Sequence, residues 1–323
     1  MKNLVRSLLL ATSSFVAVST AGAEQPLNVV ASFSIVGDFA KQVGGDRIAL
    51  TTIVGPDGDA HAYEAKPQDA AALAKADVIL ANGAHFEGFL PRLLESSGAK
   101  APVTELIKGV DLLKSPEEHE GEHDHDKAKH DHEEEGHDEA HEGHDHGPLD
   151  PHAFQSAANA KIYVANIAAA FCAADAAGCD TYKANADRYA GELTALDADL
   201  KQQAGAVPEE RRTVISSHDA FRYFEAAYGI RFLAAEGITT EAEPSAAGIA
   251  KLIDQAREGK ASAIFVENIT DPRLAEQIGR ETGLPMGGTL YSDALTAADG
   301  PAPTYVEMMR QNMRTITGAL RGS

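Results

Sequence analysis

The chain has 323 residues, 44% of them hydrophobic, and carries a formal net charge of −21 at pH 7. This length is sufficient for two ordinary domains that each bury a core. The acidic balance argues against a nucleic-acid partner, because an acidic surface repels phosphates.

The first 23 residues have the composition of a secretory signal peptide. Lys2 and Arg6 form a basic start, residues 8–18 form an apolar run, and residues 21–23 form a small-residue cleavage signal. The apolar run is too short to cross a bilayer, and no cysteine follows it that would carry a lipid. We therefore expect a soluble periplasmic product that is cleaved near residue 23.

Strand-like and helix-like segments alternate from residue 27 to residue 107. The strand-like segments are LNVVASF, RIALTTIVG, DVILANG and PVTELI, and the helix-like segments are SIVGDFAKQVGG, PQDAAALAKA and FEGFLPRLLESSG. This βαβα rhythm predicts a mostly parallel sheet that is covered by helices. We assign residues 24–180 to an N-terminal α/β lobe.

A histidine-rich acidic tract interrupts this lobe. Residues 116–147 contain fourteen acids, two lysines and nine of the chain's thirteen histidines. The nine are His119, His123, His125, His130, His132, His137, His141, His144 and His146. The low complexity, the high charge and the lack of aromatic residues prevent a buried core, so the tract is predicted to be a disordered loop.

After the helix-like segment NAKIYVANIAAAFCAAD, the pattern predicts one long helix over residues 181–206. Apolar residues recur there at spacings of four and three, on one face of a helix that would connect two lobes rigidly. They are Tyr182, Ala186, Tyr189, Leu193, Leu196 and Leu200. Cys172 and Cys179 are the chain's two cysteines. In an exported chain their even count and close spacing favour a structural disulfide over two buried thiols.

The alternation resumes over residues 207–323, which we assign to a C-terminal α/β lobe. Its strand-like segments are RTVISSH, RFLAAEGI, SAIFVEN and MGGTL, and its helix-like segments are DAFRYFEAAYG, PSAAGIAKLIDQAREG, DPRLAEQIGRETG and PTYVEMMRQNMRTITGAL. Neither lobe carries GxGxxG after a strand, GxxxxGK[ST] or GxSxG. The nucleotide-binding and serine-hydrolase classes therefore lack their motifs.

Four histidines lie outside the tract. His61, His152 and His218 follow predicted strands or lie in adjoining loops, and Asp293 follows the last strand. Ligands gather at the carboxyl edge of the strands in open α/β sheets, so these segments can bring three imidazoles and a carboxylate together as a zinc site. Spacing alone leaves open that each is a polar loop residue or a helix cap. We interpret His85 as an exposed loop residue near the cleft.

Six segments resemble those of the cluster A-I (cluster 9) solute-binding proteins of ABC transporters, which bind zinc or manganese. HAYEAKPQD, DPHAF, SSHDAFRYF, IFVEN, TLYSDAL and TYVEMMRQN occur in the family's order and span essentially the whole mature chain. Ala65 stands where proline is usual, and Phe154 where tryptophan is usual. The manganese branch has glutamate where this chain has His218. Together with the histidine-rich loop, this makes the chain most similar to the zinc-specific ZnuA and AztC type.

The resemblance implies two lobes with one tight Zn²⁺ site in the cleft between them. Some zinc-type members use water in place of the carboxylate ligand. The implied ligands are His61, His152, His218 and Asp293. We further expect Glu64 or Asp219 to orient one of the imidazoles from outside the ligand set.

The function that the resemblance implies is periplasmic capture of Zn²⁺ by a monomer that is not an enzyme. The metal would pass to an inner-membrane ABC permease, and a periplasmic zinc chaperone could load the protein. The tract's histidines would form an accessory, low-affinity zinc collector or sensor, because a flexible segment loses entropy whenever it is ordered around a metal.

Two alternatives to a transport protein are kept open by the sequence. One is a secreted zinc hydrolase with water at an open fourth position, although no general base is evident from the sequence. The other is a passive metal-storage or adhesin protein built around the tract.

Overall fold

The computed structural model describes residues 25–115, 149–242 and 244–322. The predicted signal peptide and the histidine-rich tract with its nine histidines therefore lie outside the described residues. The prediction of two parallel-sheet α/β lobes is confirmed.

The N-terminal lobe is built on a four-stranded sheet with the order β2-β1-β3-β4. Every neighbouring pair is parallel, with β1 and β2 in register from Leu27 opposite Ile48. The strands are β1 (Leu27–Phe33), β2 (Ile48–Val54), β3 (Val78–Ala81) and β4 (Val103–Glu105). The helices between them are α1 (Ser34–Gly44), α2 (Pro67–Leu73) and α3 (Leu90–Ser97).

A helical hairpin of α4 (Ala157–Ala174) and α5 (Cys179–Gly205) follows. The Cys172–Cys179 disulfide joins the end of α4 to the start of α5, so the predicted bridge is confirmed. Helix α4 is long and apolar enough to cross a membrane by length and composition. Its large side chains, such as Tyr163 and Phe171, are instead buried inside the protein, which is the behaviour of a core helix. The six apolar residues predicted for one face of α5 are all buried.

The C-terminal lobe repeats the same arrangement, with the order β6-β5-β7-β8 and parallel pairing throughout. The strands are β5 (Thr213–Ser216), β6 (Arg231–Ala234), β7 (Ile264–Glu267) and β8 (Met286–Leu290). The helices are α6 (Arg222–Tyr228), α7 (Ala246–Gln255), α8 (Pro272–Thr282) and α9 (Tyr305–Gly322).

The two lobes share one large hydrophobic core. Helix α9 packs against the N-terminal lobe, where the rings of Tyr305 and Phe39 are 4.7 Å apart. Its Tyr305 also donates a backbone hydrogen bond to Asp38 and a hydroxyl hydrogen bond to the Phe154 carbonyl. A second, smaller core lies under α7 and α8. The carboxyl ends of both sheets are therefore held in a fixed relation to each other.

Candidate metal centre

Four side chains from both lobes meet at the carboxyl edges of the two sheets. His61 lies in the loop after β2, and His152 lies between β4 and α4. His218 follows β5 by two residues, and Asp293 follows β8 by three. Because every strand is parallel, each lobe presents its loops at one edge, and the cleft between the lobes receives all four.

The ligand-type atoms of these residues lie within 4.8 Å of one another. Nε2 of His61 is 3.3 Å from Nε2 of His152. Oδ2 of Asp293 is 3.2 Å from Nε2 of His61, 3.6 Å from that of His152 and 3.0 Å from that of His218. His61 is 4% exposed and the other three residues are 0% exposed. The structure thus brings together the predicted set in one buried cluster.

His61 is placed by its own loop and by an aromatic neighbour. The carboxylate of Asp59 accepts a hydrogen bond from the backbone N–H of His61 at 2.9 Å. The ring of Phe86 packs edge-on against the imidazoles of His61 and His152, at centroid distances of 4.7 and 5.6 Å. The apolar ring closes one side of the cluster and limits the access of water to it.

His152 is oriented by Asp150, two residues earlier in the chain. Oδ1 of Asp150 lies 2.9 Å from the His152 backbone nitrogen, which donates to it, and 2.9 Å from Nδ1 of the ring. The intervening Pro151 carbonyl accepts a hydrogen bond from the Asn82 amide. With its Nδ1 facing a carboxylate, the ring turns the lone pair of Nε2 toward the cluster.

His218 is oriented by Glu267 at the end of the neighbouring strand β7. Oε2 of Glu267 lies 2.7 Å from Nδ1 of His218. Oε1 accepts hydrogen bonds from the backbone N–H groups of Ser217 and His218, at 2.8 and 3.0 Å. One buried carboxylate therefore fixes both the backbone and the ring of this histidine.

The orienting carboxylates are not those chosen from the sequence. The expected candidates were Glu64, which is exposed, and Asp219, whose carboxylate lies 4.0 Å from the Arg222 guanidinium. Asp150 and Glu267 hold these positions for His152 and His218 instead. The available signal for Asp150 was its place two residues before a histidine. Glu267 ends a strand that pairs with the His218 strand, which spacing along the chain does not reveal.

Burial and the charge of Asp293 control the protonation of the cluster. Burial lowers the pKa of His61. Burial also opposes the charged form of His152, but the carboxylates of Asp293 and Asp150 raise its pKa to about 9. In the same way Glu267 and Asp293 outweigh burial and raise the pKa of His218. Burial would raise the pKa of Asp293, yet His152 and His218 hold it well below its usual range.

The donor set fits a small divalent cation. Three imidazole nitrogens and one carboxylate oxygen are a tetrahedral set that suits zinc. Oδ1 of Asp293 is buried without a hydrogen-bond partner among the described residues. A buried carboxylate of this kind requires positive charge nearby, which a metal ion supplies.

His85 lies outside this cluster. It is exposed and has a left-handed backbone, with φ of 61°. Across residues 25–115, 149–242 and 244–322, the His61–His152–His218–Asp293 group is the one cluster of potential metal-binding side chains.

Comparison with known proteins gives matches over nearly the whole chain. Residues 29–319 match the family described as zinc-uptake complex component A, periplasmic (ZnuA). The iron-binding protein YfeA of Yersinia pestis is 30% identical over 312 residues, which are 96% of this chain and 91% of that protein. The manganese-binding lipoprotein MntA of Halalkalibacterium halodurans is 30% identical over 294 residues, 91% of this chain and 88% of that protein.

Solved structures with the same architecture also bind different metals. The periplasmic zinc-binding protein TroA from Treponema pallidum has a TM-score of 0.79 at 26% identity, covering 92% of this chain and 99% of that chain. A manganese-bound periplasmic metal-binding protein from Candidatus Liberibacter asiaticus has a TM-score of 0.75 at 27% identity, covering 90% and 98%.

Proposed function

This chain belongs to the ZnuA family of periplasmic metal-binding components, and we propose that it captures Zn²⁺ in the periplasm and delivers it to an ABC permease. The relatives are named for binding iron, manganese or zinc, so the family by itself does not choose the metal. The choice of zinc depends on the chemistry of this chain's own donors.

The buried set of three imidazoles and one carboxylate carries the proposal. Imidazole suits zinc, whereas manganese prefers oxygen ligands. Carboxylates beside Nδ1 of His152 and His218 make both rings stronger donors toward a metal at Nε2. His61, His152, His218 and Asp293 are therefore the ligands we propose for one tight zinc ion.

Delivery to a membrane permease is proposed because a relative of this chain is named as part of an ABC transporter. Streptococcus pyogenes MtsA, which is 31% identical over 322 residues, is named an iron ABC transporter substrate-binding lipoprotein. A cleaved signal peptide would place the present protein in the periplasm, where an inner-membrane permease can receive the metal. We propose that the protein acts as a monomer, that a periplasmic chaperone can load it, and that the tract collects additional zinc weakly.

The two alternative functions are less well supported. A hydrolase requires an open fourth position, but Oδ2 of Asp293 lies within 3.6 Å of all three Nε2 atoms. A storage or adhesin protein built around the tract does not require a buried ligand cluster elsewhere. YfeA is named an iron-binding protein and MtsA an ABC transporter substrate-binding lipoprotein, and neither name denotes an enzyme.

Removal of one ligand in a chain that lacks the tract tests the proposal. Residues 117–146 are deleted, and the His61→Ala variant is made in that background. We expect the deleted chain to bind one zinc ion tightly and the variant to lose at least about 100-fold in affinity, beyond the range seen for outer-sphere changes. Titration calorimetry in competition with a chelator measures both values.

His85→Ala is the matched control, because it removes an exposed histidine from the same lobe. It should bind zinc as the deleted chain does. Undiminished tight binding by the His61→Ala variant would contradict the assigned site. Tighter binding of Mn²⁺ or Fe²⁺ than of Zn²⁺ by the deleted chain would contradict the choice of zinc.

A further inference from the structure

Helix α6 of the C-terminal lobe begins with two side chains that reach the N-terminal lobe. The Tyr223 hydroxyl accepts a hydrogen bond from the backbone N–H of Leu113 at 2.9 Å and donates one to the Asp150 carbonyl at 2.9 Å. The Arg222 guanidinium donates to the Lys114 carbonyl and lies 3.8 Å from Oδ2 of Asp150. Both residues therefore contact the segment that leads into His152.

Asp150 is where these contacts meet the metal centre. It is 0% exposed, and its Oδ1 faces both the backbone nitrogen and Nδ1 of His152. Its Oδ2 is also buried and accepts no hydrogen bond from the described residues. The guanidinium of Arg222 is the positive charge that approaches this oxygen. A buried carboxylate is stabilised by such a partner and is costly without one.

Each contact restrains a different part of Asp150. Tyr223 holds its backbone carbonyl, Arg222 approaches its carboxylate, and the Leu113 carbonyl accepts its backbone N–H at 2.9 Å. A metal-binding imidazole depends on its outer partner for the direction of its lone pair. Restraint of Asp150 is therefore restraint of the His152 ring.

We propose that Arg222 and Tyr223, the α6 clamp, hold Asp150 and through it the His152 ring, and thereby increase the zinc affinity of the site. The inference rests on the proposed function. Both members of the clamp are positioning residues, since the contacts that define their role are made to Asp150 and its neighbours and not to the ligand atoms.

The clamp also ties two ligands together across the lobe boundary. Arg222 lies four residues after His218, so the segment that carries one ligand holds the segment that carries another. Lys114 and Leu149, on either side of residues 116–148, pair as an antiparallel bridge beside the clamp. Helix α6 therefore contacts the chain on both sides of that segment, at Lys114 and at Asp150.

Three single variants of the full chain test the clamp. Arg222→Met removes the charge near Asp150, and Tyr223→Phe removes both hydroxyl hydrogen bonds. Tyr228→Phe is the matched control, because Tyr228 lies on the same helix and its hydroxyl accepts a hydrogen bond from the Ala157 N–H across the lobes at 3.0 Å. We expect about tenfold weaker zinc binding for Arg222→Met and a loss of about fivefold for Tyr223→Phe, within or just below the range for outer-sphere changes. Tyr228→Phe should stay within about twofold of the wild type.

A double-mutant cycle separates positioning from general destabilisation. Arg222→Met is repeated in an Asp150→Asn background, and the melting temperature of each metal-free variant is recorded. A residue that acts through Asp150 loses its effect when Asp150 is altered, whereas independent effects add. We expect Arg222→Met to weaken zinc binding by less than about twofold in the Asp150→Asn background.

Two results would overturn the clamp. One is that Arg222→Met and Tyr223→Phe weaken zinc binding no more than Tyr228→Phe does. The other is a loss of zinc affinity on Arg222→Met that is equally large in the wild-type and the Asp150→Asn backgrounds. Failure of the proposed function has a different signature, because the wild type itself would then bind no zinc tightly or His61→Ala would keep its affinity.

Discussion

At the scale of single residues, Asp293 supplies the negative charge at the centre of the candidate site. Its Oδ2 lies 3.0 Å from Nε2 of His218 and 3.2 Å from Nε2 of His61. The two imidazoles with raised pKa values, His152 and His218, keep it ionised. The Asp293 carboxylate, whose negative charge is stabilised here by His152 and His218, would offset the positive charge of a bound cation.

Asp293→Ala should therefore weaken zinc binding by about 100-fold or more, beyond the range for outer-sphere changes. The variant leaves three imidazoles, a set that admits water as a fourth ligand. Competition between the protein and a chromophoric chelator measures the affinity. Asp254→Ala, which removes a carboxylate that is 74% exposed on α7, serves as the control. A loss below about threefold would mean that water replaces the carboxylate at little cost.

The residue scale also shows which site residues the sequence could identify. His61, His152 and His218 stand out because only four histidines lie outside the tract, and His61 and His218 lie in loops that follow strands. Glu267 is different, because an acid at a strand end is common and gives no sign of its partner. Its role depends on β7 lying beside β5, a neighbour relation that arises only when the sheet forms.

At the scale of elements, the turn between α4 and α5 is held by a half-buried cluster of polar contacts. The Asp175 carboxylate accepts hydrogen bonds from the Tyr182 hydroxyl at 2.7 Å and from Arg47 at 2.8 Å. It also accepts one from the backbone N–H of Gly178 at 3.0 Å. These contacts lower the pKa of Asp175 to about 2, with the Tyr182 hydrogen bond as the largest cause.

This shift predicts how the stability of the protein changes with pH. Because its pKa is lowered from 3.8, Asp175 stabilises the folded state fully at pH values above about 4 and loses this effect as the pH falls to about 2. Asp175→Asn should be less stable than the wild type by a constant amount from pH 7 to about 5, and the difference should shrink below pH 4. Urea unfolding at several pH values tests this, with the exposed Asp187→Asn as control. A difference that persists unchanged at low pH would contradict it.

The disulfide at the same turn should add stability without affecting the metal. Cys172 and Cys179 are seven residues apart, and a loop of that size reduces the entropy of the unfolded chain by an amount worth about 2.5 kcal/mol. Replacement of both cysteines by serine should therefore lower the melting temperature by roughly 5 °C or more. Calorimetry measures the melting temperature, and chelator competition should show zinc affinity unchanged within about twofold. A large loss of zinc affinity would show that the hairpin positions the site.

Element types were predictable from the sequence, but their ends were less so. The segment FEGFLPRLLESSG is predicted as helical from its start, yet α3 begins only at Leu90. Pro91 explains this, because proline lacks an N–H and fits the first turn, where no intrahelical bond is needed. The long helix begins at Cys179 and ends at Gly205, against a prediction of residues 181–206.

At the scale of the whole molecule, the metal centre joins two lobes that already share a core. Helix α9 belongs by sequence to the C-terminal lobe, but Tyr305 binds Asp38 and Phe154 of the N-terminal lobe. Near the cleft, the Asn268 amide donates to Asp57 across the same boundary. The cleft therefore presents its ligands from a preformed frame, which lowers the entropy lost on binding.

This frame predicts that the histidine-rich tract and the tight site are separable. Deletion of residues 117–146 should leave one tight zinc ion and remove additional weak ones, because the four proposed ligands of the tight site lie outside the deleted residues. Metal analysis after dialysis counts the tightly bound zinc, and the stoichiometry from calorimetry counts the tight and weak sites together. His85→Ala, which removes an exposed histidine outside the tract, is the control and should change neither class of zinc site. Loss of the tight site on tract deletion would contradict the prediction.

The resemblance to a known family implied the four residues that gather in the cleft, and the sequence by itself determined the alternation of strands and helices and favoured the pairing of two cysteines. Periodicity and residue type depend on local chemistry, so these features can be read along the chain. The tertiary structure alone decided that Asp150 and Glu267 orient the histidines and that Arg222 and Tyr223 reach Asp150. These contacts join segments up to 110 residues apart, between Leu113 and Tyr223. Such partners become neighbours only when two sheets and the shared core bring the lobes together.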